Sequence, residues 1–226
     1  MSGFFNSDAS RSYDEKNRRL APISGAMHFL TGLALKELPP DARILCVGVG
    51  TGAEILSLSK DNPGWRFTGV DPAAPMLEVC RQRLTEAGVM DRCELITGHV
   101  QDVAQGEAFD AALAMLVGHF VKAQYRTAFY GAMQARLKPG GMIVNAEISF
   151  DLDSAEMPVM LENWKQVQAM MGATPQSLET LETTLRETLT VLAPARVETL
   201  LRDAGFPLPV RFFQAFMITG WHAVKS

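Results

Sequence analysis

The feature that most restricts the fold of this chain is a repeated change of hydrophobic period between residues 43 and 148. Arg43-Ile44-Leu45-Cys46-Val47 is apolar at consecutive positions, which suits a strand buried on both faces. Residues 54–59 read as a helix, Asn62-Pro63-Gly64 as a turn and residues 65–71 as a second strand. The unit then recurs: an amphipathic helix over 74–87 stopped by Gly88, a strand over 93–97, a strand over 109–116, a helix over 122–137 and a strand over 142–148. Strands separated by helices pair in parallel through right-handed crossovers. The expectation is an α/β sheet flanked by helices.

The rest of the chain departs from that rhythm. Residues 1–15 are polar with few aromatics, and 16–38 have helical spacing up to Pro39-Pro40, so 1–42 reads as a helical N-terminal cap. Residues 151–193 read as a helical insertion, with helices near 155–171 and 177–190 divided by Gly172-Ala173-Thr174-Pro175. A helix with Pro194 near its start and Gly205 past its end then leads to β-rich stretches at 210–214 and 216–224. Strands joined so closely must be antiparallel, because a parallel return needs a crossover of about a dozen residues. The expected organisation is one domain over 1–226, its core formed by 43–150 and 194–226.

Gly48-Val49-Gly50-Thr51-Gly52 follows the first strand and opens a helix, and Asp71 closes the second strand. Glycines let the chain turn tightly and let a ligand approach backbone N–H groups at a helix N-terminus. An acid at the end of the second strand is placed to accept hydrogen bonds from ribose hydroxyls. Ala53 makes the run readable as G-x-G-x-x-A as well, so an NAD(P)-dependent oxidoreductase is an alternative. The lack of a second βαβαβ half and the closing antiparallel pair favour S-adenosylmethionine.

In order, 44–52, Gly69-Val70-Asp71-Pro72 with Met76-Leu77, Phe109-Asp110, Leu137-Lys138-Pro139-Gly140-Gly141 and 200–206 resemble the signatures of class I S-adenosylmethionine-dependent methyltransferases. The resemblance covers 44–226 apart from the insertion. It implies a Rossmann-like, seven-stranded sheet in the order 3-2-1-4-5-7-6 with strand 7 antiparallel. It also implies that the Gly48–Gly52 loop, with Gly48, Val49 and Gly50, faces the methionine part of the cofactor and that Asp71 holds the ribose. Pro72 and Met76 would pack near the adenine, His99 and Val100 would face its edge, and Met115 would lie beside the methionine tail. Cys46 and His99 stand where most members carry carboxylates. Residues 210–216 with Gly220, and the position of the insertion, are similar to carboxy-S-adenosylmethionine synthases of tRNA wobble-uridine modification. Where those enzymes use an arginine, an asparagine and a tyrosine, this chain has Glu182, Met115 and Ile23, with Arg186 one helical turn from Glu182.

Methyl transfer from a sulfonium has an activated, neutral leaving group, so the protein chiefly aligns nucleophile, methyl and sulfur. S-adenosylhomocysteine is the product that such a reaction leaves. Sites on open α/β sheets lie beyond the carboxyl ends of the strands, which makes His119 and Glu147 the candidates for contacting the acceptor or removing its proton. Tyr13 with Lys16, Arg18 and Arg19 forms a candidate lid. The insertion carries seven acidic against two basic side chains, and the whole chain has a formal net charge of −4, which disfavours a nucleic-acid partner. Met157, Met160, Leu161, Trp164, Val167, Met170 and Met171 recur at helical spacing, which most simply means packing on the core; the alternative is an adaptable hydrophobic cover over a small-molecule acceptor. The three cysteines have neither zinc-site nor disulfide spacing, and no metal is expected. With no apolar run long enough for a membrane span, the expected setting is cytoplasmic, and a homodimer is compatible with the sequence.

Overall fold

A computed structural model describes residues 19–106 and 108–226. Helix α1 (Ala21–Ala34) precedes β1 (Arg43–Val47), α2 (Ala53–Asp61), β2 (Arg66–Asp71), α3 (Ala74–Glu86), β3 (Cys93–Thr97) and β4 (Phe109–Met115). Helix α4 (Ala123–Gln134) leads to β5 (Leu137–Ile148), and the insertion begins with α5 (Met157–Met170). Helix α6 (Pro194–Asp203) then returns the chain to β6 (Val210–Ala215) and β7 (Ile218–Val224).

The seven strands form one sheet in the order β3-β2-β1-β4-β5-β7-β6. Pairings among β1 to β5 are parallel, whereas β7 runs antiparallel to both β5 and β6. This is the Rossmann-like order that the resemblance implied. Central β4 is buried at every position, as a strand covered on both faces must be. One apolar cluster joins α1, α2, α3 and α5 to one face, and a second joins α4 and α6 to the other. Burial of these two layers is the main favourable term for folding.

Two elements differ from the sequence reading. The Lys138-Pro139-Gly140-Gly141 turn lies inside β5, where the register with β4 slips between Phe109↔Leu137 and Ala111↔Met142. The turn residues therefore make an irregularity in one strand. The helix expected over 177–190 is broken into α turns at Pro175–Glu179 and Leu181–Thr183 and a π turn at Thr184–Thr188. Between Ala215 and Ile218 the chain reverses through Phe216, which holds a left-handed φ of 51°.

Candidate active site

Above the carboxyl ends of β1, β2 and β4 lies a cavity of about 170 Å3. Gly48 and Gly50 form its floor with positive φ values of 67° and 52°. A Cβ on Gly48 would come within 2.5 Å of Val117 Cγ2, so the loop's path depends on glycine there. Gly52 lines neither this cavity nor the second one described below; its αL backbone caps α2, and a Cβ there would meet Cys80 Sγ at 2.7 Å. Its role is packing of the loop, whereas the sequence reading placed it among the cofactor contacts.

Asp71 Oδ2 accepts from the Gly50 N–H at 2.9 Å, and Oδ1 accepts from the Ala73 N–H at 2.8 Å. Burial raises the Asp71 carboxyl above its ordinary value, while the two amide donors pull it down. Each oxygen keeps acceptor capacity toward the cavity, which is what two vicinal hydroxyls require. Arg83 Nη1 donates to Thr51 O at 3.0 Å and to Thr51 Oγ1 at 2.9 Å, fastening the glycine loop to α3.

Pro72, Met76, His99, Val100 and Met115 also line the cavity. The His99 N–H donates to Asp102 Oδ2 at 2.8 Å. Arg136 holds the following turn by donating to Val103 O and Gln101 O. An apolar wall of Val117, Phe120, Val121 and Phe129, unremarked in the sequence, completes the enclosure. It belongs to the irregular segment after β4 and to α4, where no periodic signal marks it.

A second cavity of about 140 Å3 shares Gly48, Gly50, Met115 and Leu116 with the first and adjoins Val49. Its remaining wall comes from Leu20, Ile23, Ser24, Met27 and His28 of the α1 region, from Thr51, Ala53 and Glu54 at the start of α2, and from Ile218. Burial lowers the His28 imidazole below its ordinary value. The sequence reading also passed over Glu54. Its position one helical turn before Leu58 already puts it on the inward face of α2.

His119 and Glu147 line neither cavity. The expectation that they meet the acceptor is corrected by their burial, at 3% and 0% exposure. Glu147 Oε2 accepts from Arg126 Nη1, and its Oε1 accepts from the Tyr130 hydroxyl at 3.1 Å. His119 Nδ1 accepts from the Ile148 N–H at 3.2 Å. Burial first and the Arg126 charge second push the His119 imidazole down to about 3. These groups fasten the end of the insertion: Arg126 donates to Thr190 O at 2.6 Å, and the Thr190 N–H donates to His119 O at 2.8 Å.

The site's shape has relatives among known proteins. Residues 44–141, from β1 into β5, match the family model described as a methyltransferase domain. The whole chain is 25% identical over 216 residues to a carboxy-S-adenosyl-L-methionine synthase of Klebsiella pneumoniae, covering 94% of this chain and 87% of that protein. A protein of the same description from Chromohalobacter salexigens is 26% identical, with 96% and 84% covered. In fold, the chain matches a putative O-methyltransferase of Nostoc punctiforme with a TM-score of 0.69 at 18% identity, spanning 91% of this chain but 58% of that one. It also matches geranyl diphosphate C-methyltransferase of Streptomyces coelicolor with a TM-score of 0.67 at 12% identity, over 92% and 82% of the two chains.

The insertion directs its charge elsewhere than the cavities. Arg186 donates to Asp153 Oδ1 at 2.9 Å and to Glu182 Oε1 at 3.0 Å. These partners raise its guanidinium above the ordinary value. Met157, Leu161, Trp164 and Val167 pack into the core, whereas Met170 is exposed. No residue of the insertion lines either cavity, so this face agrees with the simpler expectation, packing on the core, and not with a cover over the acceptor. Of the candidate lid, Tyr13, Lys16 and Arg18 lie outside the described residues, and Arg19 donates to Met170 O at 3.2 Å. Among the described residues, no helix is long and apolar enough to cross a membrane.

Proposed function

We propose that this protein transfers a methyl group from S-adenosylmethionine to a small-molecule acceptor, working by alignment rather than by a dedicated base. The observation that carries the reading is the pairing of the glycine floor with Asp71, whose carboxylate is fixed by two backbone amides and still faces the cavity. Gly48 and Gly50 admit a ligand close to the main chain, Asp71 accepts from the ribose hydroxyls, and Pro72, Met76 and Val100 enclose the base. S-adenosylmethionine supplies a methyl already activated on positively charged sulfur. The acceptor meets the activated methyl where the two cavities join, beside Met115 and Leu116, and the small volumes there limit its size.

The relatives' description raises a second reading, synthesis of a carboxylated cofactor. It is not favoured, because Glu182 occupies the place of the carboxylate-holding arginine and Arg186 is paired with Asp153 and Glu182. Titration calorimetry tests the cofactor. S-adenosylmethionine and S-adenosylhomocysteine should both bind, and Asp71→Ala should weaken binding by about 10- to 100-fold, as losing a charge-assisted hydrogen bond worth about 1.5–3 kcal/mol requires. Absence of binding by either ligand at millimolar concentration would remove the reading. Mass spectrometry of the co-purified nucleoside separates the two chemistries, since an extra carboxyl mass would favour the second.

A further inference from the structure

Among the described residues, Glu54 is the only carboxylate lining the second cavity. It sits in the first turn of α2 and is 6% exposed. Among the described residues no salt bridge reaches it, and its own backbone N–H is its hydrogen-bond donor. The groups around it come from every packed element: Cys46 on β1, Asp71 on β2, Cys80 and Arg83 on α3, and His28 on α1 across the cavity. Arg83 directs Nη1 to Thr51. Burial, reinforced by Asp71, pushes the Glu54 carboxyl up to about 8 against the opposing pull of its own backbone N–H and, less, of Arg83.

A buried carboxyl group with no ion-pair partner is costly as an anion and becomes favourable once a cation reaches it. The loop glycines line both cavities. A nucleoside held at Asp71 and lying across that loop therefore carries its far end toward Glu54. We propose that Glu54 is the countercharge for the α-ammonium group of the cofactor, and that ligand entry strips the proton from its carboxyl group. The carboxylic O–H bond breaks, the proton passes to solvent, and the resulting carboxylate accepts from the ammonium with no redox change. This inference rests on the cofactor reading above and adds a residue and a proton to it.

The test is titration calorimetry of the full chain at pH 7 in two buffers of different ionisation enthalpy, which counts protons exchanged on binding. S-adenosylhomocysteine carries the ammonium without the sulfonium, and 5′-methylthioadenosine carries the nucleoside and sulfur without the amino acid. Wild type should release close to one proton more than Glu54→Gln with S-adenosylhomocysteine, and the two proteins should match with 5′-methylthioadenosine. Below pH 8 the ratio of the two proteins' affinities for S-adenosylhomocysteine should change by up to about tenfold per pH unit. Glu54→Gln keeps the shape and neutrality of the protonated acid, so it should fold; circular dichroism checks this, and Glu54→Ala serves as a second variant. Equal proton counts and equal pH slopes in wild type and both variants would overturn the role of Glu54 while leaving the cofactor reading intact. Failure of both nucleosides to bind wild type would overturn both.

Discussion

Replacing Arg126 with Met should unfold a large part of the stability margin without touching either cavity. Arg126 is 0% exposed, and its guanidinium has three separate partners: the Glu147 carboxylate, Val121 O at 2.8 Å and Thr190 O at 2.6 Å. Removing one member of a buried ion pair costs about 3–5 kcal/mol, because the other charge is left uncompensated. The Val121 and Thr190 carbonyls deprived of a donor are only part-buried, so each adds at most about 1–3 kcal/mol. Protonation of Glu147 offsets part of the sum. Burial already raises that carboxyl, and loss of Arg126, the largest influence lowering it, raises it further. A net loss of roughly 4–6 kcal/mol is expected, a large share of the 5–15 kcal/mol typical of a domain.

The double mutant isolates the ion-pair part. In Arg126→Met/Glu147→Leu both charges are gone and the space is filled by apolar side chains, so the pair should lose at least about 2 kcal/mol less than the sum of the single mutants. Urea unfolding at pH 7, followed by the fluorescence of buried Trp164 and Trp221, gives all four stabilities. Hydrogen exchange at Thr190 should quicken in Arg126→Met, since its N–H bond to His119 O belongs to the same clamp. Additivity within about 0.5 kcal/mol, or a cost for Arg126→Met below about 1 kcal/mol, would refute the reasoning.

Two further outcomes concern pH. His119 is held near 3 in the fold against 6.5 in the unfolded chain, so its contribution is complete above pH 6.5 and is lost as pH falls toward 3; at about 1.4 kcal/mol per unit this amounts to roughly 4–5 kcal/mol. His119→Gln, which retains an acceptor for the Ile148 N–H, should therefore show a flatter acid limb in pH-dependent thermal melts, and an unchanged limb would count against the burial argument. Glu54 has the opposite sign: its folded value of about 8 exceeds the unfolded 4.5, so stability is full below pH 4.5 and drains away as pH rises through 8. Ligand-free Glu54→Gln should gain on wild type by up to roughly 4–5 kcal/mol between those limits, and a constant difference across that range would refute the assignment.

The contrast between what was legible and what was not follows from the separation of partners along the chain. Consecutive apolar runs marked the strands, and the Gly48–Gly52 loop with Asp71 sits where a local pattern places it, because Asp71 contacts residues brought in by a single βαβ unit. Arg126 was invisible for the converse reason. On a helix it reads as a solvated side chain, and its partners Val121, Glu147 and Thr190 stand 5, 21 and 64 positions away. Position at a strand end made Glu147 look available, but the guanidinium that neutralises it could not be paired with it from spacing. The apolar wall of Val117, Phe120 and Val121 escaped notice because an irregular segment has no period to read.

Sorting the buried carboxylates by their partners shows where charge is still open to a ligand. Asp110 accepts from Lys138 Nζ at 2.7 Å and from the Arg43 N–H at 2.8 Å. Asp71 has two backbone amides, and Glu147 has Arg126 and Tyr130. Glu54, the fourth buried carboxylate among the described residues, has only its own amide. Burying a carboxyl without a partner costs stability unless something outside the chain offsets it. Asp71 and Glu54 line two cavities that share the loop glycines Gly48 and Gly50. One ligand with hydroxyls at one end and a cation at the other would answer both, and an S-adenosyl amino acid has those two ends.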